Sequence, residues 1–184
     1  MVSTTTKPAS LESFLSLPET KPACEFINEK TTQKPMPQGK HSRLQVKLST
    51  SINQVVEIPK IAYAFSELRC TFGGASIVPD ISVFRWERIP RDNSGQVANR
   101  FQIYPDWAIE ILSPAQRQNK VLANLLHCIE NGTELGWLLN PEDESVLVVS
   151  DRSIQIFKGV DQLPVLNGIN LELTAEQIFG WLKF

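Results

Sequence analysis

Apolar residues recur every four positions in the segment HSRLQVKLSTSINQVVEI, residues 41–58. This spacing places them on one face of an α-helix, so the segment is predicted to be helical with one buried side. Pro59 limits how far the helix can extend. The residues of the buried face are Leu44, Leu48, Ile52 and Val56.

Three strands are predicted after this helix. AYAFSELRC (62–70) is the first, and a turn at residues 71–74 follows it. ASIVPDISVF (75–84) is the second, and Pro79 inside it indicates a bulge or the end of a sheet. DWAIEILS (106–113) is apolar on both faces, which is typical of a central strand.

A second helix is expected directly after the third strand. Ser113 and Pro114 suit the cap and the first helical position, and the helix should run to about Glu130 before the stop at Asn131-Gly132. LGWLL (135–139) then predicts a fourth strand. A crossover helix between the third and fourth strands implies that they are parallel.

The ends of the chain add smaller elements to this core. We expect residues 1–10 to be mobile, residues 24–33 to form a strand or hairpin, and residues 145–157 to form a second hairpin. LTAEQIFGWL (173–182) predicts a closing helix whose Thr174 and Gln177 form a capping box. The fold class is therefore a single α/β domain over residues 1–184, with a mixed sheet and an αβββαβ core.

Composition excludes several classes of protein. Hydrophobic residues make up 42% and charged residues 21% of the 184, which indicates a packed globular chain. The net charge of −2 gives no global attraction to nucleic acid, so binding of anions must rest on local patches. No apolar run approaches the ~20 residues of a membrane span, and no secretory signal is visible. Three cysteines without CxxC spacing predict buried reduced thiols in a cytosolic protein.

Several familiar sites are missing from the sequence. It contains no P-loop, no GxGxxG and no GxSxG elbow. Its two histidines, His41 and His127, exclude a zinc site built from several histidines. We interpret His127 as a structural helix residue. Carboxylate chemistry remains, and this suits a hard cation such as Mg²⁺.

Glu110 stands inside the apolar run WAIEIL of the third strand. A buried carboxylate without a partner is costly, so Glu110 needs a cation or a functional role. Asp80 follows Pro79 at the break in the second strand, and neighbouring strands would bring the two carboxylates together. Alone, Asp80 fits a turn residue and Glu110 fits a buried ion pair; together they favour a metal site.

Four segments resemble the PD-(D/E)XK nuclease-like superfamily, and more narrowly the restriction-endonuclease family called Uma-two-like. They are KPMPQGKHS, SELRC followed by SIVPDISVF, PDWAIEILSP, and GWLLNP. The resemblance covers nearly the whole chain and includes the αβββαβ order of elements. It implies that Asp80 and Glu110 bind Mg²⁺, or alternatively Mn²⁺, with the Ile111 carbonyl as a further ligand.

The chain departs from the superfamily pattern at Leu112, where a lysine is expected two residues after the glutamate. The Uma-two-like family tends to draw a lysine from the following helix. Gln116, Lys120 and Asn124 are spaced four apart there, on a stripe away from the apolar face. Lys120 is predicted to substitute for the missing lysine, although the family's usual position falls nearer Asn124.

Further residues are candidates for the site or for phosphate contacts. His41 resembles a histidine common in the family, and it would reach phosphate or water or else cap the helix. Glu25 or Glu29 would add a carboxylate. Four arginines in and near the polar loop 88–100 are candidates for phosphate contacts, with a solvated loop as the alternative. They are Arg85, Arg88, Arg91 and Arg100.

The sequence thus predicts a metal-dependent endonuclease that hydrolyses DNA phosphodiester bonds, with DNA as partner, a homodimeric assembly and a cytoplasmic location. Asp80, Glu110, Lys120 and His41 are the predicted catalytic residues. One alternative is a binding module that keeps the fold without catalysis, which the missing lysine favours. Another is a metal-free hydrolase that uses two carboxylates, as glycosidases do.

Overall fold

The computed structural model describes Pro8, residues 10–114 and residues 116–184, and the chain forms two sheets flanked by helices. The elements in chain order are α1 (Leu11–Leu15), β1 (Cys24–Ile27), β2 (Lys30–Gln33), α2 (Gly39–Val56), β3 (Ala62–Ser66), β4 (Cys70–Phe72), β5 (Ala75–Ile77), β6 (Ile81–Arg85), a 3-10 turn (Trp86–Arg88), β7 (Trp107–Ile111), α3 (Gln118–Glu130), β8 (Leu135–Asn140), β9 (Ser145–Val149), β10 (Ile154–Lys158) and α4 (Ala175–Gly180).

The larger sheet has six strands in the order β10-β9-β8-β7-β6-β3. Its β7 and β8 are parallel and joined through α3, which confirms the predicted crossover. Its other neighbours are antiparallel. The smaller sheet has the order β2-β1-β5-β4, so the predicted hairpin at residues 24–33 pairs with the middle of the chain.

Two predicted strands are each divided between the sheets. The segment 62–70 separates into β3 and β4, and Glu67 lies between them with φ of 50°. The segment 75–84 separates into β5 and β6 at Pro79-Asp80, where the sequence indicates a break. Asp80 therefore lies where the chain passes from the small sheet to the large one.

Two predictions about the termini of elements have different outcomes. Most of the segment 1–10, predicted to be mobile, lies outside the described residues; Ser10 is described and caps α1, which the sequence did not predict. The prediction that the second helix, α3, starts at Ser113-Pro114 is wrong, because α3 begins at Gln118. Arg117, in an extended conformation, precedes α3, and the side chain of Gln116 accepts a hydrogen bond from the Ser113 N–H at 3.0 Å.

The predicted buried face of α2 is confirmed. Leu44, Leu48, Ile52 and Val56 are all fully buried against the large sheet. Burying such a side chain contributes about 1.5–3 kcal/mol to folding, so this face fixes α2 firmly on the sheet. One face of β7 packs in the same core as α2, and its opposite face packs against α3. This confirms that the third predicted strand is central and apolar on both sides.

The three cysteines are free thiols, as predicted. Cys70 and Cys128 are buried, whereas Cys24 is only half-buried. Burial raises the pKa of Cys70 to about 12, so this thiol stays protonated and unreactive. Across the described residues, no helix has the length and apolar character needed to cross a membrane.

Asn53 links α2 to the outer edge of the large sheet. Its side-chain amide donates to the Ala64 carbonyl at 3.0 Å, and its side-chain oxygen accepts from the Ala64 N–H at 2.8 Å. Ala64 lies on β3, the terminal strand of the sheet, and it is almost fully buried. Asn53 thereby satisfies two backbone groups that no neighbouring strand can reach.

We expect Asn53→Ala to lower the free energy of unfolding by about 2–4 kcal/mol, because it leaves two buried backbone groups unpaired. Urea denaturation measures the change. Lys47→Ala is the control, since Lys47 is exposed on the same helix and its loss should stay within ~0.5 kcal/mol of wild type. Equal stabilities of the two variants would contradict this role of Asn53.

Candidate active site

Asp80 and Glu110 meet at one end of the large sheet. β6 pairs with β7 so that Ile81 lies opposite Ile109. Asp80 directly precedes Ile81, and Glu110 directly follows Ile109. Asp80 Oδ1 and Glu110 Oε2 lie 2.7 Å and 3.1 Å from one atom, the Nζ of Lys34. The predicted convergence of the two carboxylates is thereby confirmed.

Lys34 is the residue that the sequence analysis missed. It follows β2, and its backbone N–H donates to the Ala23 carbonyl at 2.9 Å. Its ammonium group also donates to the Val78 carbonyl at 2.7 Å, so three oxygens surround it. Three is the full number of protons on an ammonium group, so its hydrogen-bonding capacity is satisfied.

The second carboxylate oxygen of Asp80 is held from two other directions. Asp80 Oδ2 accepts from the Ile111 N–H at 2.7 Å and lies 3.0 Å from His41 Nε2. Gln45 of α2 donates to the Asp80 carbonyl at 2.8 Å. Together these contacts fix the orientation of the carboxylate, and they leave Oδ1 directed at Lys34.

Glu25, rather than Glu29, is the additional carboxylate near this centre. Its Oε1 accepts from the Val78 N–H at 2.9 Å, and its Oε2 accepts from Asn124 Nδ2 at 3.0 Å. Glu29 is exposed in the turn between β1 and β2, away from the carboxylate pair. Glu25 therefore ties the hairpin to both α3 and the Val78 segment.

The electrostatics of the centre follow from three buried carboxylates around one ammonium group. Burial raises the pKa of Glu110 well above its usual range, and Asp80 and Glu25 add to this effect, while Lys34 only partly offsets it. Burial also opposes ionisation of Asp80, but Lys34 and His41 outweigh it and hold the pKa of Asp80 well below its usual range. Burial would lower the pKa of Lys34, but the carboxylates reverse this and raise it.

The donor atoms suit a hard divalent cation. Two carboxylate oxygens and the Val78 carbonyl oxygen converge on a single point. Within the described part of the chain, no group of three or more His, Cys, Asp or Glu side chains has the arrangement of a metal site. Mg²⁺ is commonly bound by only one or two carboxylates, with water and substrate oxygens as its other ligands, so the set present fits it.

His41 lies on the first turn of α2 and is buried beside the pair. Gln38, not His41, is the N-cap residue of α2, so the capping alternative is wrong. Its Nε2 contacts Asp80, and its Nδ1 has no hydrogen-bond partner among the described residues. His127 of α3, in contrast, stacks on Phe72 of β4 with 5.3 Å between the ring centroids, which agrees with a structural role.

Lys120 does not take the position expected of it. Because α3 begins at Gln118, Lys120 is its third residue rather than two turns inside the helix. Its side chain is exposed, and the ammonium group that contacts Asp80 and Glu110 belongs to Lys34. Asn124, the alternative position, contacts Glu25.

The predicted arginines do not gather at the carboxylates. Arg85 is at the far end of β6, about 13 Å along the strand from Ile81, and it pairs with Glu134 at 3.0 Å. Arg88 pairs with Asp106 beside it. Both guanidinium groups thus already have acidic partners. Arg91 and Arg100 are exposed in the loop, and their contact with phosphate stays a prediction.

Two cavities lie on either side of Lys34. The first, of about 580 Å³, reaches His41 and Asp80, and the second, of about 710 Å³, reaches Glu25 and Lys120. Lys34, Pro35 and Gln116 line both of them. The first cavity therefore reaches the centre at Asp80, and the second reaches it at Glu25.

We expect Glu110→Gln to raise the free energy of unfolding at pH 8, because burial and the neighbouring carboxylates of Asp80 and Glu25 disfavour the ionised form of Glu110. Because the pKa of Glu110 is raised in the folded state, its contribution to stability is present at low pH and is lost as the pH rises. Glutamine does not ionise, so the variant does not lose stability in this way. The gain should therefore shrink as the pH falls toward ~4.5. Urea denaturation at several pH values measures it.

Asp80→Asn should show the opposite dependence. Its lowered pKa gives Asp80 a contribution that is present above the usual carboxyl range and lost as the pH falls. The variant should be less stable than wild type at pH 8, and the two should converge in acid. A Glu110→Gln protein that is less stable than wild type at pH 8 would contradict this description of the centre.

Comparisons with known proteins concern the family and the overall fold. Residues 11–176 match the model of the Uma2 family, whose description is "putative restriction endonuclease". The fold is similar to the crystal structure of a putative nuclease belonging to DUF820 from Anabaena variabilis, with a TM-score of 0.91 and 50% identity over 95% of this chain and 99% of that one. No curated protein gives a significant match. The chain therefore belongs to the Uma2 family.

Proposed function

We propose that the protein is a metal-dependent endonuclease that hydrolyses DNA phosphodiester bonds. The observation that carries the proposal is the convergence of Asp80 Oδ1, Glu110 Oε2 and the Val78 carbonyl on one cation-binding point. The match to a restriction-endonuclease family and the similarity to a nuclease structure support the reaction class. DNA as substrate and Mg²⁺ or Mn²⁺ as the ion are parts of the proposal.

Asp80 and Glu110 would hold the metal ion, and the Ile111 carbonyl predicted as a further ligand belongs to the same end of β7. When bound, Mg²⁺ supplies charge stabilisation for the phosphoryl oxygens and lowers the pKa of water. His41 and the Ile111 N–H keep Asp80 oriented through its other oxygen. This orientation is a fixed property of the folded chain, so none of it has to form during the reaction.

Lys34 supplies the ammonium group that the superfamily pattern places at position 112. During hydrolysis, the oxygen of water bonds to phosphorus, the bond from phosphorus to the leaving oxygen breaks, and that oxygen gains a proton. Negative charge builds up on the phosphoryl group in this step. An ammonium group adjacent to the carboxylate pair stabilises that charge or orients the water.

The two alternative functions are a binding module without catalysis and a metal-free hydrolase. The binding-module hypothesis rested on the missing lysine, and Lys34 removes that argument. One observation favours the metal-free hydrolase: the pKa of Glu110 is raised while that of Asp80 is lowered, as in an acid and base pair. A requirement for a divalent ion separates that hydrolase from the nuclease. The homodimer and the cytoplasmic location stay predictions.

We expect wild-type protein to cleave DNA with Mg²⁺ or Mn²⁺ and not with a chelator. Asp80→Asn and Glu110→Gln should abolish cleavage, because each removes an anionic metal ligand. Lys34→Ala should lower turnover by ~10²-fold or more, the usual effect of losing one electrostatic donor. A gel assay on supercoiled, linear and single-stranded DNA measures all four proteins.

Lys47→Ala is the control for this assay, because Lys47 is exposed on α2 and has no part in the centre. Lys120→Ala tests the earlier assignment directly. A large loss of turnover in Lys120→Ala with normal turnover in Lys34→Ala would show that Lys120 of α3, and not Lys34, supplies the catalytic ammonium group. Cleavage that persists in Asp80→Asn would reject the proposed function.

A further inference from the structure

We propose that Lys34 and a divalent cation bind the same three oxygens in alternation, so that metal binding releases the Lys34 ammonium group from the carboxylate pair. This inference rests on the proposed function for its metal ion, and it assigns Lys34 a second role. Lys34 would keep the centre electrically compensated before the metal binds. After release, its ammonium group would be available to a phosphate group of the substrate.

The distances exclude simultaneous binding. Lys34 Nζ lies 2.7 Å from Asp80 Oδ1, 3.1 Å from Glu110 Oε2 and 2.7 Å from the Val78 carbonyl oxygen. A Mg²⁺ or Ca²⁺ ion needs contacts of about 2.0–2.6 Å to such oxygens. An ion in contact with these three oxygens would therefore overlap the nitrogen and repel its charge.

Three other carboxylate oxygens of the centre already have partners. Asp80 Oδ2 is already engaged by the Ile111 N–H and by His41. Both oxygens of Glu25 accept hydrogen bonds, one from the Val78 N–H and one from Asn124. The oxygens directed at the ammonium group are therefore the ones on which we place the cation.

The side chain of Lys34 can leave while its backbone stays in place. Its N–H is hydrogen-bonded to the Ala23 carbonyl, and Pro35 restricts the backbone of Lys34, the residue before it. Lys34 lines both cavities, of about 580 Å³ and 710 Å³, so rotation of the side chain alone gives it room on either side. A lysine side chain spans roughly 6 Å, so the released ammonium group stays at the mouth of the centre.

This alternation weakens metal binding by a predictable factor. A metal ion binds only the fraction of molecules in which Lys34 is displaced, and the measured dissociation constant rises in inverse proportion to that fraction. Minor conformations of this kind are typically populated at ~0.1–10%. Removing the ammonium group should therefore tighten metal binding by ~10-fold or more.

The first experiment is a calorimetric titration of metal-free protein with Mn²⁺. We expect Lys34→Met to bind Mn²⁺ at least ~10-fold more tightly than wild type. Lys120→Met is the matched control, because it removes an equal charge from an exposed lysine that lines the second cavity, and its affinity should stay within ~3-fold of wild type. Equal or weaker binding by Lys34→Met would overturn the proposal.

The second experiment uses the wild-type protein and does not depend on the folding of a variant. A buried ammonium group with three acceptors exchanges its protons slowly, so its ¹H–¹⁵Nζ signal should be visible by NMR. Saturation with Mg²⁺ should abolish the Lys34 signal, since the released group exchanges rapidly with water. A signal that persists unchanged at saturating Mg²⁺ would overturn the proposal, whatever the effect of the charge on affinity.

The two proposals fail in distinguishable ways. Tighter Mn²⁺ binding by Lys34→Met with loss of the NMR signal, but without cleavage of any DNA, would support the alternation and reject the nuclease. Cleavage that requires Mg²⁺ together with a persistent signal would support the nuclease and reject the alternation. Absence of Mn²⁺ binding in both wild type and Lys34→Met would reject the alternation.

Discussion

The ammonium group of Lys34 among the buried carboxylates is the interaction on which this structure depends. Asp80 and Glu110 are only 2% and 3% exposed, and buried charges without a partner destabilise a fold by several kcal/mol. Their compensation comes from the small sheet, since Lys34 follows β2. The hairpin, the break at Pro79-Asp80 and the end of β7 must therefore meet at one place.

Much of the fold was predictable because its signals are local. The four-residue spacing on α2 and the crossover through α3 both follow from short windows of sequence, and both are confirmed. The division of the segment 62–70 is less accessible, because it occurs near Glu67, which adopts φ of 50° without being glycine. The start of α3 was misplaced because Ser113-Pro114 resembles a helix cap, whereas the Ser113 N–H is satisfied by the side chain of Gln116 instead.

The site was predictable only in part. Glu110 was conspicuous as a carboxylate in an apolar run, and Asp80 was conspicuous beside a strand break. Lys34 is 46 and 76 residues away from them along the chain, and the pairing of the β1–β2 hairpin with β5 brings it to them. The resemblance to the superfamily directed attention to the helix after Glu110, where Lys120 is exposed. Arg85 is paired with Glu134 at the opposite end of β6, and its contact with phosphate stays a prediction.

We propose that Asp80 and Glu110 form a divalent-cation site at the point that Lys34 Nζ occupies. Anomalous X-ray diffraction from crystals soaked in Mn²⁺ tests it most directly. We expect one Mn²⁺ peak within ~2.5 Å of an oxygen of each carboxylate, with the Lys34 side chain displaced into a neighbouring cavity. A crystal that shows Lys34 in place and no Mn²⁺ at the two carboxylates would contradict it.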